Sequence, residues 1–212
     1  HIKHFTNPEV GTYFIFNIHR DEDRDRNCEN TNTQRNQIQG NVDSPEALKA
    51  LRGQTFYANW HFQVDGNFST SEYFTYFFEL RARNAEQANT NSIAMLGAKI
   101  VDSVPLALVE HAASGQAEPT TLASHAFPDL TGTWLEVTVV ATLEELESGG
   151  RVSLEVKDLE TGEVFLTVVD APRDMWRAGA GFVRPKWGIY RSLEAINQLS
   201  PEEESARFTN FV

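Results

Sequence analysis

The segment Val183-Arg184-Pro185-Lys186-Trp187-Gly188-Ile189-Tyr190-Arg191-Ser192 predicts a β-strand whose two faces differ in chemistry. Side chains of a strand point alternately to its two faces. The even-numbered positions carry two cations, a phenol and a glycine that leaves space between them, whereas the odd-numbered positions include a large ring and a branched aliphatic group. Two cations next to a phenol can hold a carboxylate and move a proton beside it. We therefore expect this strand to carry a functional site.

Two further segments show the same alternation and indicate an all-β protein. In the segment 55–64 the apolar face is Phe56, Ala58, Trp60, Phe62 and Val64, and the polar face is Tyr57, Asn59, His61 and Gln63. In the segment 73–83 we assign Phe74, Tyr76, Phe78 and Leu80 to the core and Thr75, Phe77, Glu79 and Arg81 to the opposite face. The two apolar faces are expected to meet in a core that Trp187 joins.

Shorter β-prone segments, separated by turn residues, are predicted to be the remaining strands. They are Tyr13 to His19, Gln34 to Gln39, Ser92 to Ile100, Leu106 to His111, Trp134 to Leu143, Arg151 to Lys157 and Glu163 to Asp170, the last two forming a hairpin. Ser44 to Leu51 begins with a cap residue and a proline, which predicts one short helix. Strands spaced about 8–12 residues apart predict one domain over residues 1–212, a β-jelly roll of two antiparallel sheets with a concave cleft.

The composition restricts the class of protein and of partner. The chain of 212 residues has a net charge of −12, which argues against a nucleic-acid partner. No apolar segment approaches the roughly 20 residues of a membrane helix. A single cysteine, Cys28, excludes an intrachain disulfide. We expect a monomer, and because no signal peptide is present, a mature form that begins at His1. A polyanionic substrate would need a locally positive cleft in so acidic a protein.

The segment Arg184 to Ser192 also resembles the last inner strand of polysaccharide lyases with a β-jelly-roll fold. The closest resemblance is to the glucuronan lyase group, polysaccharide lyase family 20. Further pieces follow in that family's order, among them Phe16-Asn17-Ile18-His19, Gln34-Arg35-Asn36-Gln37-Ile38, Trp60-His61-Phe62 and Arg207-Phe208-Thr209-Asn210-Phe211. The resemblance covers nearly the whole chain. It implies a secreted enzyme that binds an acidic, glucuronan-like polysaccharide and cleaves it by β-elimination.

In β-elimination a base removes the C5 proton of a uronate and an acid protonates the leaving glycosidic oxygen. The substrate carboxylate must be neutralised, and donors aimed at developing charge often make the largest catalytic contribution. A tyrosine can carry the proton where neighbouring cations lower its pKa. The resemblance assigns this role to Tyr190, and it suggests Arg35 as a ligand of the carboxylate, for which its planar fork is suited.

The candidate site contains two groups of residues. The catalytic candidates are Tyr190, His61 and His19, the last matching a family histidine. The substrate-binding candidates are Arg35, Gln37, Asn59, Glu79, Arg81, Arg184 and Lys186. Arg35, His61, Glu79, Lys186 and Tyr190 are predicted to line one concave surface. Surface or ordinary hydrogen-bonded roles remain open for the histidines, and pairing with the nearby acidic loop remains open for Arg35.

The chain departs from the family at one strand. Where the family usually has histidines and a glutamine, this chain has Phe74-Thr75-Tyr76-Phe77-Phe78-Glu79-Leu80-Arg81. An ionised glutamate can only accept hydrogen bonds, whereas glutamine can donate to a uronate. We therefore predict that a cleft arginine or lysine pairs with Glu79. A non-catalytic carbohydrate-binding relative of these lyases remains the alternative function.

Two metal hypotheses remain. A copper-dependent oxidase could use His1, provided that a second histidine lies across the site. The acidic run Asp21-Glu22-Asp23-Arg24-Asp25 could hold a structural calcium ion, although its arginines oppose this and its spacing differs from an EF-hand. The lyase hypothesis itself requires no metal or cofactor.

Overall fold

The computed structural model describes residues 1–8, 11–25, 29–83 and 92–212. They form thirteen strands: β1 (Ile2–Asn7), β2 (Gly11–Ile18), β3 (Thr33–Gln39), β4 (Thr55–Val64), β5 (Thr75–Arg83), β6 (Ser92–Val101), β7 (Val104–His111), β8 (Thr120–Ala126), β9 (Leu135–Thr142), β10 (Arg151–Asp158), β11 (Val164–Pro172), β12 (Phe182–Ser192) and β13 (Glu204–Thr209). Cys28 and the end of the acidic loop lie outside the described residues. Among those described, no helix has the length and apolar character needed to cross a membrane.

The strands form two antiparallel sheets. The seven-stranded sheet has the order β1-β2-β13-β4-β9-β10-β11, and the six-stranded sheet has the order β3-β12-β5-β6-β7-β8. Strand β12, which contains the segment Val183 to Ser192, therefore lies between β3 and β5. The predicted jelly roll is confirmed, and so is the hairpin of β10 and β11.

The core between the sheets is aromatic. Trp60 of β4 is fully buried, and its ring centre lies 4.6 Å from that of Phe78 and 5.9 Å from that of Trp187. Phe56 and Phe62 are buried on the same face of β4. The period-2 pattern of β4 and β12 thus predicted which side chains join the sheets, because burial of one sheet face fixes the strand register.

The prediction of which side chains of β5 face the core was wrong for the first half of the strand. Phe77 and Phe78 are both buried in the core, whereas Tyr76 faces outward. The pairing of β5 with β6 shifts by one residue between Tyr76 and Phe78, which marks a β-bulge. An extra residue in a strand reverses the sheet face to which each side chain on one side of it points. Phe74 and Tyr76 consequently leave the core, while Phe78 and Leu80 enter it as predicted.

The short helix predicted for Ser44 to Leu51 is also wrong. Only one 3₁₀ turn, Glu46–Leu48, forms, and Ala50 then pairs with Val183 as an isolated bridge to β12. Strands β1, β8 and β13 were not predicted. Much of β1 and β8 is exposed, so the alternation that marks a half-buried strand is absent there.

Candidate active site

The outer face of the six-stranded sheet, which we call the cleft face, brings together residues that lie far apart in the sequence. The pairing of β12 places Tyr190 opposite Arg35 of β3 and Lys186 opposite Glu79 of β5. Arg184 lies opposite Arg81. Because even-numbered positions of β12 share a face, the register alone creates a cluster of cations around one phenol and one carboxylate.

Gly188 makes the close approach of β12 to β3 possible. Its φ is +128°, and a Cβ at this position would lie 2.2 Å from the carbonyl oxygen of Asn36 and 2.8 Å from Cα of Gln37. Only glycine tolerates both conditions. The spacing between Lys186 and Tyr190 therefore depends on this position.

Tyr190 lies beneath a guanidinium group. Cζ of Arg35 is 3.8 Å from the centre of the Tyr190 ring, and Nζ of Lys186 is 5.7 Å from it. Arg35 also contacts Asp25 of the acidic loop, with 3.3 Å between Nη2 and Oδ2. Arg35 thus lies over Tyr190 on the cleft face and also pairs with the loop, but it is not among the residues that line the cleft itself. A cation over an aromatic face is attracted to the ring, which favours this position of Arg35 above Tyr190.

Glu79 is completely buried and has four polar neighbours. Its Oε2 lies 3.4 Å from Nζ of Lys186 and accepts a hydrogen bond of 3.1 Å from Nε2 of Gln37. Its Oε1 lies 3.5 Å from Nη1 of Arg81 and accepts a 2.9 Å bond from the Ser92 hydroxyl. Burial alone would raise the pKa of Glu79, but these neighbours outweigh it and lower the pKa, so the group is ionised. The predicted pairing of Glu79 is present.

Lys186 is held by Glu79 and is not open to a ligand, because only 1% of its side chain is exposed. Burial lowers the pKa of Lys186 to about 8; Glu79 opposes this shift, and Arg35 and Arg81 add to it. The guanidinium of Arg184 donates a 2.9 Å bond to the carbonyl of Gly40. Arg35 and Arg81, with about one fifth of each side chain exposed, and Lys99, with 26% exposed, are cations that a ligand can reach.

A second charged pair lies further along the cleft face. Glu110 of β7 is buried, contacts Nζ of Lys99 at 2.7 Å and accepts a 3.3 Å bond from the Tyr76 hydroxyl. Burial and then the charge of Glu110 raise the pKa of Tyr76 strongly, so this phenol stays protonated. None of these three residues was predicted from the sequence to belong to the site. A single charged residue in each of the otherwise apolar strands β6 (Lys99) and β7 (Glu110) could have indicated two of them.

A cleft of about 450 Å³ lies above part of this face, and its lining carries charges of both signs. Tyr190, Tyr76 and Phe74 line it together with two cations, Arg81 and Lys99. The carboxylates of the lining are those of Glu72, Glu110, Glu118 and Glu194. No histidine belongs to this lining. Among the described residues that line the cleft, carboxylates outnumber cations, so the uniformly positive cleft expected for a polyanion is not found there.

Three predicted site residues lie elsewhere. Asn59 and His61 project from β4 in the other sheet, because the polar face of that strand is the outer face of the sandwich. Asn59 bonds to Glu136 and Thr138, and His61 approaches Asn210. Burial lowers the pKa of His61. The prediction that His61 lines the cleft is therefore wrong.

His19 also lies outside the cleft, at the end of β2. Its Nδ1 is 3.2 Å from Asp23 and its Nε2 is 2.8 Å from Glu203. The His1 ring lies beside it, with 5.3 Å between ring centres. The second histidine that the copper hypothesis required is thus close to His1. The carboxylates expected to hold calcium have separate partners: Arg20 for Asp21, the histidines for Asp23 and Arg35 for Asp25.

Comparison with known proteins gives no match to any family model. No curated protein matches the sequence either. Solved structures do match. An alginate lyase from Pseudomonas aeruginosa superimposes with a TM-score of 0.62 at 13% identity, over 99% of this chain and 84% of that one. The alginate lyase AlgAT5 of polysaccharide lyase family 7 gives 0.61 at 14% identity, over 99% and 80%.

A third match has the same extent. The family-7 alginate lyase A1-II′ gives a TM-score of 0.62 at 10% identity, over 99% of this chain and 81% of that one. The similar structures are thus alginate lyases, whereas the sequence had suggested the glucuronan lyase group. Identities this low establish the architecture alone: the chain has the β-jelly-roll fold that these lyases share.

Proposed function

We propose that this protein is a polysaccharide lyase that cleaves a uronate-containing polymer by β-elimination. The observation that carries the proposal is the placement of Tyr190 in a cleft, under the guanidinium of Arg35 and near Lys186. The fold shared with alginate lyases supports it. Another structure of this fold, the alginate lyase Aly36B, is described in complex with an alginate trisaccharide (TM-score 0.55, 12% identity).

Tyr190 carries the proton in this proposal. Its phenolate takes the C5 proton of the uronate, the C4–C5 double bond forms and the bond from C4 to the glycosidic oxygen breaks. The same phenol then protonates that oxygen, since no histidine lines the cleft. The guanidinium of Arg35, 3.8 Å from the ring centre, and the ammonium of Lys186, 5.7 Å from it, place positive charge beside this phenol. Tyr76 cannot replace Tyr190, because its hydroxyl is bound to Glu110 and its pKa is raised.

Arg35 and Arg81 neutralise the substrate carboxylate. Both are partly exposed and both flank the Tyr190–Lys186 strand. Lys186 has a different role from the one the sequence suggested: it holds Glu79 ionised beneath the site. Glu79 in turn contacts Gln37 and Arg81, so it engages one of the two arginines that could meet the substrate carboxylate.

The charged residues that line the cleft restrict how closely the uronates of a bound polymer can follow one another. A uronate binds next to Arg35 and Tyr190, whereas the carboxylates of Glu72, Glu118 and Glu194 in the cleft lining repel further uronates. Glucuronan therefore remains a candidate, but a polymer in which uronates alternate with neutral sugars fits so acidic a lining better. Such a polymer would be met outside the cell, which is consistent with the expectation of secretion.

The test is a panel of polymers followed by ultraviolet absorbance, because β-elimination creates an unsaturated uronate that hydrolysis does not. Glucuronan, alginate and polymers of alternating uronate and neutral sugar form the panel. Absorbance growth with at least one polymer, lost in Tyr190→Phe, supports the lyase. New reducing ends without absorbance would refute it.

A non-catalytic binding protein is the second candidate. The buried Glu79 favours it, because this carboxylate engages two cations that would otherwise be available to a uronate. Retention of polymer on the protein in affinity electrophoresis, with no absorbance change for any polymer, would support this candidate over the lyase.

A further inference from the structure

A group of metal-ligand side chains lies outside the cleft, where the chain leaves β2. His1, His19 and Asp23 each offer one ligand atom, and these atoms lie within 4.8 Å of one another. Nε2 of His1 is 3.1 Å from Oδ1 of Asp23, and Nδ1 of His19 is 3.2 Å from its Oδ2. The group thus combines two imidazoles with one carboxylate.

These separations suit tetrahedral coordination. Ligands at about 2.0–2.1 Å from a tetrahedral zinc ion are about 3.3 Å from each other. The two nitrogen–oxygen distances are close to that value but run to different oxygens of Asp23, so a small rotation of the carboxylate would bring one oxygen and both nitrogens to an ion. Because an ion pair would give similar distances, the surroundings of the group decide between the two.

The second observation is the environment of His19. Its other ring nitrogen, Nε2, contacts the carboxylate of Glu203 at 2.8 Å. Histidines that bind metals usually donate their remaining N–H to a carboxylate, which fixes the tautomer and directs the free lone pair at the ion. Glu203 therefore leaves Nδ1 of His19 directed at the position between Asp23 and His1.

The backbone around the group is also held in place. The buried amide of Gln34 lies 2.6 Å from the carbonyl oxygen of His19 and 2.9 Å from that of Asp23. The carbonyl of His1 accepts a 3.0 Å bond from the backbone of Asn17. Ligands on a fixed frame lose less conformational freedom when an ion binds.

We propose that His1, His19 and Asp23 bind a divalent transition-metal ion of the zinc type, with Glu203 orienting His19. Two imidazole ligands and one carboxylate favour such an ion over calcium or magnesium, which prefer all-oxygen sites. The bound ion would join the start of β1 to the loop after β2 and, through Glu203, to the start of β13. This proposal does not depend on the function of the cleft.

The test is zinc chloride added to chelator-treated protein that carries no polyhistidine tag. Titration calorimetry should give one ion per chain. At about 100 times the Kd, the Tm should rise by about 5–10 °C. Calcium chloride should have no comparable effect. Zinc binding with a stoichiometry below 0.2, or an equal response to calcium, would overturn the proposal.

Variants separate the site from surface binding. His19→Gln and Asp23→Asn should each remove the Tm rise, and Glu203→Gln should weaken zinc binding about tenfold. His1→Ala should also weaken zinc binding. Because the His1 side chain is exposed, this variant should fold normally even if the other substitutions disturb the fold. His125→Gln is the matched control, since His125 and Asp129 form the same i,i+4 pair at 3.0 Å without a second histidine among the described clusters. Full zinc binding in both His1→Ala and His19→Gln would refute the proposed ligand set.

Discussion

Nζ of Lys186 lies 3.4 Å from Oε2 of Glu79, and both side chains are almost completely buried beneath the cleft. A buried pair of opposite charges contributes little net stability, yet removing one partner is costly because the other is left uncompensated. The pair therefore sets the charge of the site more than it stabilises the fold. The first prediction concerns its carboxylate.

Replacing Glu79 by glutamine should tighten uronate binding and weaken the fold. The change removes a negative charge and releases Arg81, so we expect the KM for a uronate polymer to fall about threefold to tenfold and turnover to rise. Lys186 loses its counter-charge, which should cost about 3 kcal/mol of unfolding free energy. Steady-state kinetics and urea unfolding measure the two effects.

Glu204→Gln is the control, because Glu204 is also completely buried and paired, with Arg191, but does not line the cleft. It should lower stability without the gain in affinity near Tyr190. Loss of all turnover in Glu79→Gln would instead show that the glutamate takes part in the chemistry, and Tyr190 could then not be the sole proton carrier.

Replacing Tyr190 by phenylalanine should lower kcat by a factor of about 10² to 10⁴, the usual contribution of a positioned acid–base group. Its hydroxyl makes no hydrogen bond to another described side chain, so the unfolding free energy should change by less than about 1 kcal/mol. Tyr76→Phe should keep most of the turnover, because the Tyr76 hydroxyl donates its hydrogen bond to Glu110. Equal losses in the two variants would contradict the assignment of the proton carrier.

Uronate binding should weaken as the pH rises through about 8. Below this value Lys186 is charged; above it Lys186 is neutral, because burial lowers its pKa to about 8. Deprotonation makes the site one unit more negative, and we expect KM to rise about fivefold between pH 7 and 9, the effect of an interaction of about 1 kcal/mol. In Lys186→Met the KM should be high at both pH values. A persistent rise in that variant would assign the titration to another group.

Gly188→Ala should destabilise the protein by about 3 kcal/mol or more. The added Cβ meets the backbone of Asn36 at 2.2 Å, and the φ of +128° is strained for any other residue. Gly162→Ala is the control: its φ is +75°, but no atom lies within 4 Å of the added Cβ, so only the backbone strain of about 1 kcal/mol applies. Thermal unfolding of both variants would compare them, and equal effects would refute the close-approach argument.

The sequence predicted the sandwich, the core and the central cleft strand, because alternation in β4 and β12 is regular and long. The sequence-based prediction failed for features that the alternation of apolar and polar residues does not encode. The bulge in β5 reverses Tyr76 and Phe77, and a bulge leaves the residue types on either side unchanged. His61 was placed in the cleft because a polar strand face can point to either side of a sandwich. Its sheet depends on strand order, which alternation does not encode.

The order of the six-stranded sheet has a consequence for folding. The site combines β3, which begins at Thr33, with β12, which ends at Ser192, so the contacts between these two strands join residues more than 140 positions apart. Closing such long loops is slow, and proteins dominated by non-local pairings fold slowly. Tyr190 meets Arg35 only when almost the whole chain has been synthesised. A chain stalled before β12 would present an unpaired edge on β5, where another polypeptide could pair and aggregation could begin.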